Sequence, residues 1–153
     1  MAYGGMVHAL EEIHRLLKPA GALIDIHPVS ESSPIEIHRG GQIERVGYLS
    51  VRQWCIDFQQ ADDALAEIVQ RNLFVVERER VFDSLTHYAS AAEMSTSLKE
   101  SIAKFARDAQ SADEAVPHVE ALAARADELM RAAAGEAELI VREPTRISRL
   151  RPT

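Results

Sequence analysis

Residues 7–26 constrain the fold more than any other stretch. Val7, Leu10, Ile13 and Leu17 recur every three or four residues, the spacing that lines one face of a helix. Lys18-Pro19-Ala20-Gly21 then interrupts the pattern; proline cannot continue a helix, and glycine accepts the backbone conformations in which helices end. Ala22 to Ile26 follows as an apolar run broken only by Asp25, the composition of a strand covered on both faces. Helix, turn and strand together predict half of a βαβ crossover, and with it an α/β chain.

His27-Pro28 stops the strand, and Ser30 to Pro34 has loop composition. Ile35 to Arg39 and Gln42 to Val46 alternate in polarity around Gly40-Gly41, a two-residue turn able to take positive φ twice, which predicts a β-hairpin. Phe58, Ala61, Leu65 and Ile68 restore helical spacing between Val51 and about Asn72, with Asp62, Asp63 and Glu67 on the other side. Leu73 to Tyr88 reads as a long, half-exposed strand.

Ser90-Ala91-Ala92-Glu93 is a capping box, followed by the stripe Met94, Leu98, Ile102 and Phe105 of a helix. After an acidic, Ala-rich link, Pro117 is placed to open a last helix with the face Val119, Leu122, Ala126, Leu129 and Met130, closed by Gly135. Glu138 to Leu150 alternates imperfectly, and Pro144 predicts an irregular or edge strand there.

The leading segment, Leu10-Glu11-Glu12-Ile13-His14-Arg15-Leu16-Leu17-Lys18-Pro19-Ala20-Gly21-Ala22-Leu23-Ile24-Asp25-Ile26, resembles the helix and fifth strand of class I S-adenosylmethionine-dependent methyltransferases, with Ala20 where that family usually has glycine. Val81 to Glu93 is similar to the sixth strand and following helix cap of the small-molecule, type 11-like members. The resemblance covers nearly the whole chain. It implies the C-terminal half of a Rossmann-like methyltransferase sheet, with one parallel strand, an antiparallel pair and an added β-hairpin, packed with helices in a single truncated domain over 1–153.

In an α/β fold of this type the cofactor sits at a glycine-rich turn after the first strand, and an acidic residue after the second holds the ribose. Gly4-Gly5 precedes a helix and Gly40-Gly41 lies in the hairpin, so no residue is assigned to cofactor binding. The resemblance therefore implies a chain that takes no cofactor alone and carries no catalytic residue, acting as an interaction or ligand-binding module. Its alternative is a methyltransferase acting on a small molecule, as part of a longer chain or with a partner that supplies the S-adenosylmethionine site.

A formal charge of -7 argues against broad nucleic-acid binding, which needs a basic face. The longest apolar runs, Ala22 to Ile26 and Leu73 to Val76, fall far below the roughly 20 residues that span a bilayer. With no signal-peptide pattern at the N-terminus, cytoplasm is the expected compartment. Cys55 is the only cysteine; beside Trp54, Ile56 and Phe58 it reads as a small buried hydrophobe. His8 and His14 lie on different sides of a helix, so no metal site is expected. No Gly-x-Ser-x-Gly turn is present.

Ligands of open α/β sheets bind beyond the carboxyl ends of the strands, which makes Asp25 and His27 the candidate rim of a pocket. His27 has the titration range of a general base or substrate contact. Tyr48 and Trp54 flank the helix start after the hairpin, and His87 ends the long strand. Each has a structural role as its plain alternative: a strand-closing histidine, core aromatics, a strand end. Arg142, Arg146, Arg149 and Arg151 fit either an anion-docking tail or charges that guard an edge strand.

In the complete family fold the fifth strand has neighbours on both sides. Here Ala22 to Ile26 would be left with an open edge, and such an edge attracts another strand. A homodimer, or a partner covering Ala22 to Ile26, is the expected assembly.

Overall fold

The computed structural model describes residues 3–29, 31–105, 109–132 and 136–153. The elements run α1 (Tyr3–Leu16), β1 (Leu23–Pro28), β2 (Ser33–Arg39), β3 (Gln42–Leu49), α2 (Arg52–Gln70), β4 (Phe74–Tyr88), α3 (Ala91–Phe105), α4 (Ala109–Arg131) and β5 (Glu138–Pro152). The α/β class is as the sequence predicts, and the five strands form one open antiparallel sheet in which β5 pairs with β1, β2 and β4 and β2 pairs with β3. The parallel strand and βαβ crossover expected at 22–26 do not form: β1 runs antiparallel to β5, with Leu23 opposite Leu150 and Pro28 opposite Thr145.

The chain divides into two compact units, Met1–Ser30 with Trp54–Phe82 and Pro144–Thr153, and Glu31–Gln53 with Asp83–Glu143. In the first unit Val7, Ala64, Ile68, Phe74 and Leu150 form a buried cluster, against which Leu10, Ile13, Leu17 and Leu23 pack. These side chains come from α1, α2 and one face of the sheet. The other face of β1 is uncovered: Ile24 is 52% and Ile26 59% exposed, so the strand expected to be buried on both sides is buried on one. Helix α2 ends in a Schellman motif, with the amide of Leu73 donating to the carbonyl of Ile68 and that of Asn72 to Val69. Asn72 takes the left-handed φ of 56° that the motif requires.

In the second unit the β2–β3 hairpin forms around Gly40 and Gly41, at φ 52° and 83°. The expected loop ends early, because Ser33 and Pro34 already pair with Leu49 and Tyr48; Ser30 lies outside the described residues. Ile35, Ile37, Leu139 and Val141 are buried, as are Met94, Leu98 and Ile102 of α3 and Val119, Leu122 and Ala126 of α4. A Cβ on Gly47 would stand 2.6 Å from Leu122 Cδ2, so α4 packs on the hairpin where a side chain is missing. The serine half of the capping box forms as predicted, with Ser90 accepting from the Glu93 amide at 3.1 Å, while Glu93 accepts at 2.7 Å from the amide of Ala89, one residue before the cap.

Two features differ from the sequence reading. The link before Pro117 is helical from Ala109, so Pro117 lies inside α4; alanines support the upstream turns and the helix tolerates one missing hydrogen bond. Gly135, expected to close that helix, lies outside the described residues. Strand β5 is central rather than an edge. Pro144 falls between the stretch paired to β2, through Val141, and the stretch paired to β1, from Thr145. A proline is tolerated there because the ladder changes partners around it.

Candidate functional site

Strand alternation puts Asp25 and His27 on one face of β1. Their register partners Ser148 and Arg146 share that face, and α2 adds Asp62. His27 Nδ1 lies 2.6 Å from Asp25 Oδ2 and Nε2 lies 2.9 Å from Asp62 Oδ1. Carboxylates only accept hydrogen bonds, so a ring placed against one at each nitrogen donates twice when it is protonated, and the site favours that form. The hydrogen bond to Asp25 is the largest influence raising the His27 pKa from 6.5; burial opposes it, and Asp62 adds to it. Asp62 also accepts from Arg146.

A cavity of about 200 Å³ opens beside this network, between α2 and the sheet. Leu65, Val69 and Val76 form its apolar wall, while Asp62, Glu79 and Arg146 supply charge. Ser148 donates to Glu79 at 3.1 Å, and Arg146 Nε stands 3.9 Å from the same carboxylate without a hydrogen bond. The network favours the protonated form of His27 between its carboxylates and offers a small ligand both signs of charge beside an apolar wall.

The other predicted site residues lie elsewhere. Tyr48, on β3, is 49% exposed; its hydroxyl accepts from Arg45, and its carbonyl faces His118 Nε2 at 3.0 Å. Trp54 is half-buried in the first turn of α2. His87 is exposed on β4, 3.9 Å from Glu138. Cys55 is half-buried rather than buried. Among the described residues no group of histidines, cysteines and carboxylates is arranged to hold a metal, and no helix is long and apolar enough to cross a membrane.

Two groups escaped the sequence reading. Asp62 looked like one more acid on the solvent side of α2, and Glu36 like the polar position of an alternating strand. Glu36 is fully buried. It accepts from Arg45 at 2.8 Å and from Arg142, and lies 3.0 Å from His38 Nε2. Burial alone would raise its pKa, but these three donors outweigh it and hold the carboxyl at about 2. The C-terminal arginines lie on a strand with neighbours rather than on a sheet edge, and each is ion-paired. Arg142 also faces Asp83, Arg146 binds Asp62, and Arg149 and Arg151 bind Glu77 at 2.9 and 2.6 Å.

Comparison of the chain with protein-family models, with curated proteins and with solved structures returns no match.

Proposed function

We propose that this chain forms the closing half of a Rossmann-like, methyltransferase-like sheet and acts as a non-catalytic interaction or ligand-binding module, joined to another strand along β1. The observation that carries the reading is β1 itself. It has a strand neighbour on one side only among the described residues, and its Ile24 and Ile26 stand exposed on the uncovered face. An apolar strand with open backbone groups is a pairing site. Support also comes from the sheet order, in which the strand after the Lys-Pro-Ala-Gly turn adjoins β5 and β5 adjoins β4. The family resemblance implies such an antiparallel pair at the sheet's end. The His27 network and its cavity are the place where a small ligand would sit.

The second reading is a small-molecule methyltransferase whose S-adenosylmethionine site is supplied by further polypeptide. The same open edge favours it, because the half that would bind the donor joins the sheet there. Calorimetric titration with S-adenosylmethionine and S-adenosylhomocysteine, with mass measured on the same sample, separates the two. The module reading expects no heat of binding from a stable assembly of this chain. Micromolar binding of either compound refutes it.

A further inference from the structure

The edge of β1 carries enough geometry to name its occupant, given the reading above that this edge is the joining surface. The Val29 amide donates to the Pro144 carbonyl at 2.9 Å, continuing the register in which Pro28 faces Thr145. Backbone groups of alternate residues in an antiparallel strand point the same way. Leu23, Asp25, His27 and Val29 therefore turn theirs toward β5, and Ile24, Ile26 and Pro28 turn theirs to the free edge. The edge thus offers two amides, those of Ile24 and Ile26, and three carbonyls.

We infer that this edge pairs with β1 of a second copy, antiparallel about a two-fold axis through Ile26. A two-fold perpendicular to the sheet keeps each face on its own side, so only residues of like parity can oppose one another. Two central registers satisfy this. Centred on Asp25, the axis would set Asp25 against Asp25 of the second copy, and like charges directly opposite destabilise a sheet. Centred on Ile26, it sets Asp25 against the second copy's His27, an imidazole against a carboxylate, twice over. In that register each Ile26 amide reaches the other Ile26 carbonyl, and each Ile24 amide reaches the other Pro28 carbonyl. Every outward amide is used, and the N–H that Pro28 lacks is not needed. On the uncovered face Ile26 meets Ile26 and Ile24 meets Pro28, which covers the side chains that stand 52% and 59% exposed in one copy.

Cysteine cross-linking in a Cys55→Ser background tests this, with light-scattering mass on the uncrosslinked chain and circular dichroism on each variant. Opposed α-carbons of a hydrogen-bonded antiparallel pair lie about 5.5 Å apart, within disulfide reach. The two Ile24 α-carbons are offset by four residues, about 13 Å, and out of reach. A dimer that oxidises through Ile26→Cys and not through Ile24→Cys is the expected result. Both positions are exposed, so the fold survives either change. Cross-linking through Asp25→Cys instead of Ile26→Cys overturns the register. A monomer at all concentrations that binds no methyl donor overturns the second copy as occupant while the half-sheet reading stands. A monomer that binds S-adenosylmethionine overturns both.

Discussion

In the first unit a histidine is held between two carboxylates, with an arginine behind one of them; in the second a carboxylate is held between two guanidiniums and a histidine. Both clusters stand on strand faces beside β5, and both use an arginine from that strand, Arg146 or Arg142. They differ in which member is hidden. Glu36 has no exposed surface, whereas His27 keeps a side chain 11% exposed and its carboxylates 23% and 19%. A buried ion is costly unless every neighbour is in place. The Glu36 cluster is accordingly the more structural of the two, and the His27 cluster, next to a cavity, the more open to a ligand.

The largest effect that would break this contrast is Glu36→Gln. The change keeps shape and removes the charge beneath Arg45 and Arg142. Losing one partner of a buried ion pair costs about 3–5 kcal/mol; since the arginines are partly solvated, the lower end, about 3 kcal/mol, is expected from denaturant unfolding. A loss under about 0.5 kcal/mol, the size of an ordinary surface change, would show that the cluster does not hold the fold. Acid gives the same test without mutation. The Glu36 carboxyl has an ordinary pKa of 4.5 and stands at about 2 in the folded chain. Its contribution is present above 4.5 and is lost as pH falls through the folded value, a total of about 3 kcal/mol at 1.36 kcal/mol per unit. Glu36→Gln should flatten this acid limb.

His27 works in the opposite direction and with smaller effect. Its pKa is raised above 6.5, so its stabilisation is full below 6.5 and is lost as pH rises through the folded value. His27→Gln should cost about 1.5 kcal/mol at pH 6, the scale of hydrogen bonds to charged groups, and much less on the alkaline side. Equal losses at both pH values would mean that packing, rather than the proton, gives His27 its role.

The two clusters also divide what could be read from the sequence. Asp25 and His27 are two residues apart on one strand, so their shared face follows from alternation alone. Helix α1, the paired glycines of the hairpin and the Ser90–Glu93 cap were legible for the same reason: each rests on contacts within a few residues. Asp62 meets Arg146 across 84 residues and Glu36 meets Arg142 across 106, distances at which no local pattern operates. The central place of β5 was hidden likewise. Pro144 reads as an edge residue unless one knows that the ladder changes partner beside it. Burial of Glu36 inverted its local signal, because Ile-Glu-Ile on a strand ordinarily marks a solvent face and here the second face is closed by arginines.

The finest test asks which carboxylate holds the His27 proton, and it needs no loss of stability to be read. Asp25 makes the shorter contact, 2.6 Å against 2.9 Å, and is the strongest influence on the ring. Asp62 shares its charge with Arg146, which leaves less of it for the imidazolium. Asp25→Asn should therefore lower the His27 titration midpoint further than Asp62→Asn, as followed by the imidazole proton resonances. Equal shifts would mean that the guanidinium does not compete for Asp62. A larger shift from Asp62→Asn would move the centre of the cluster from the strand to the helix, and with it the place where a ligand entering the cavity would first disturb the proton.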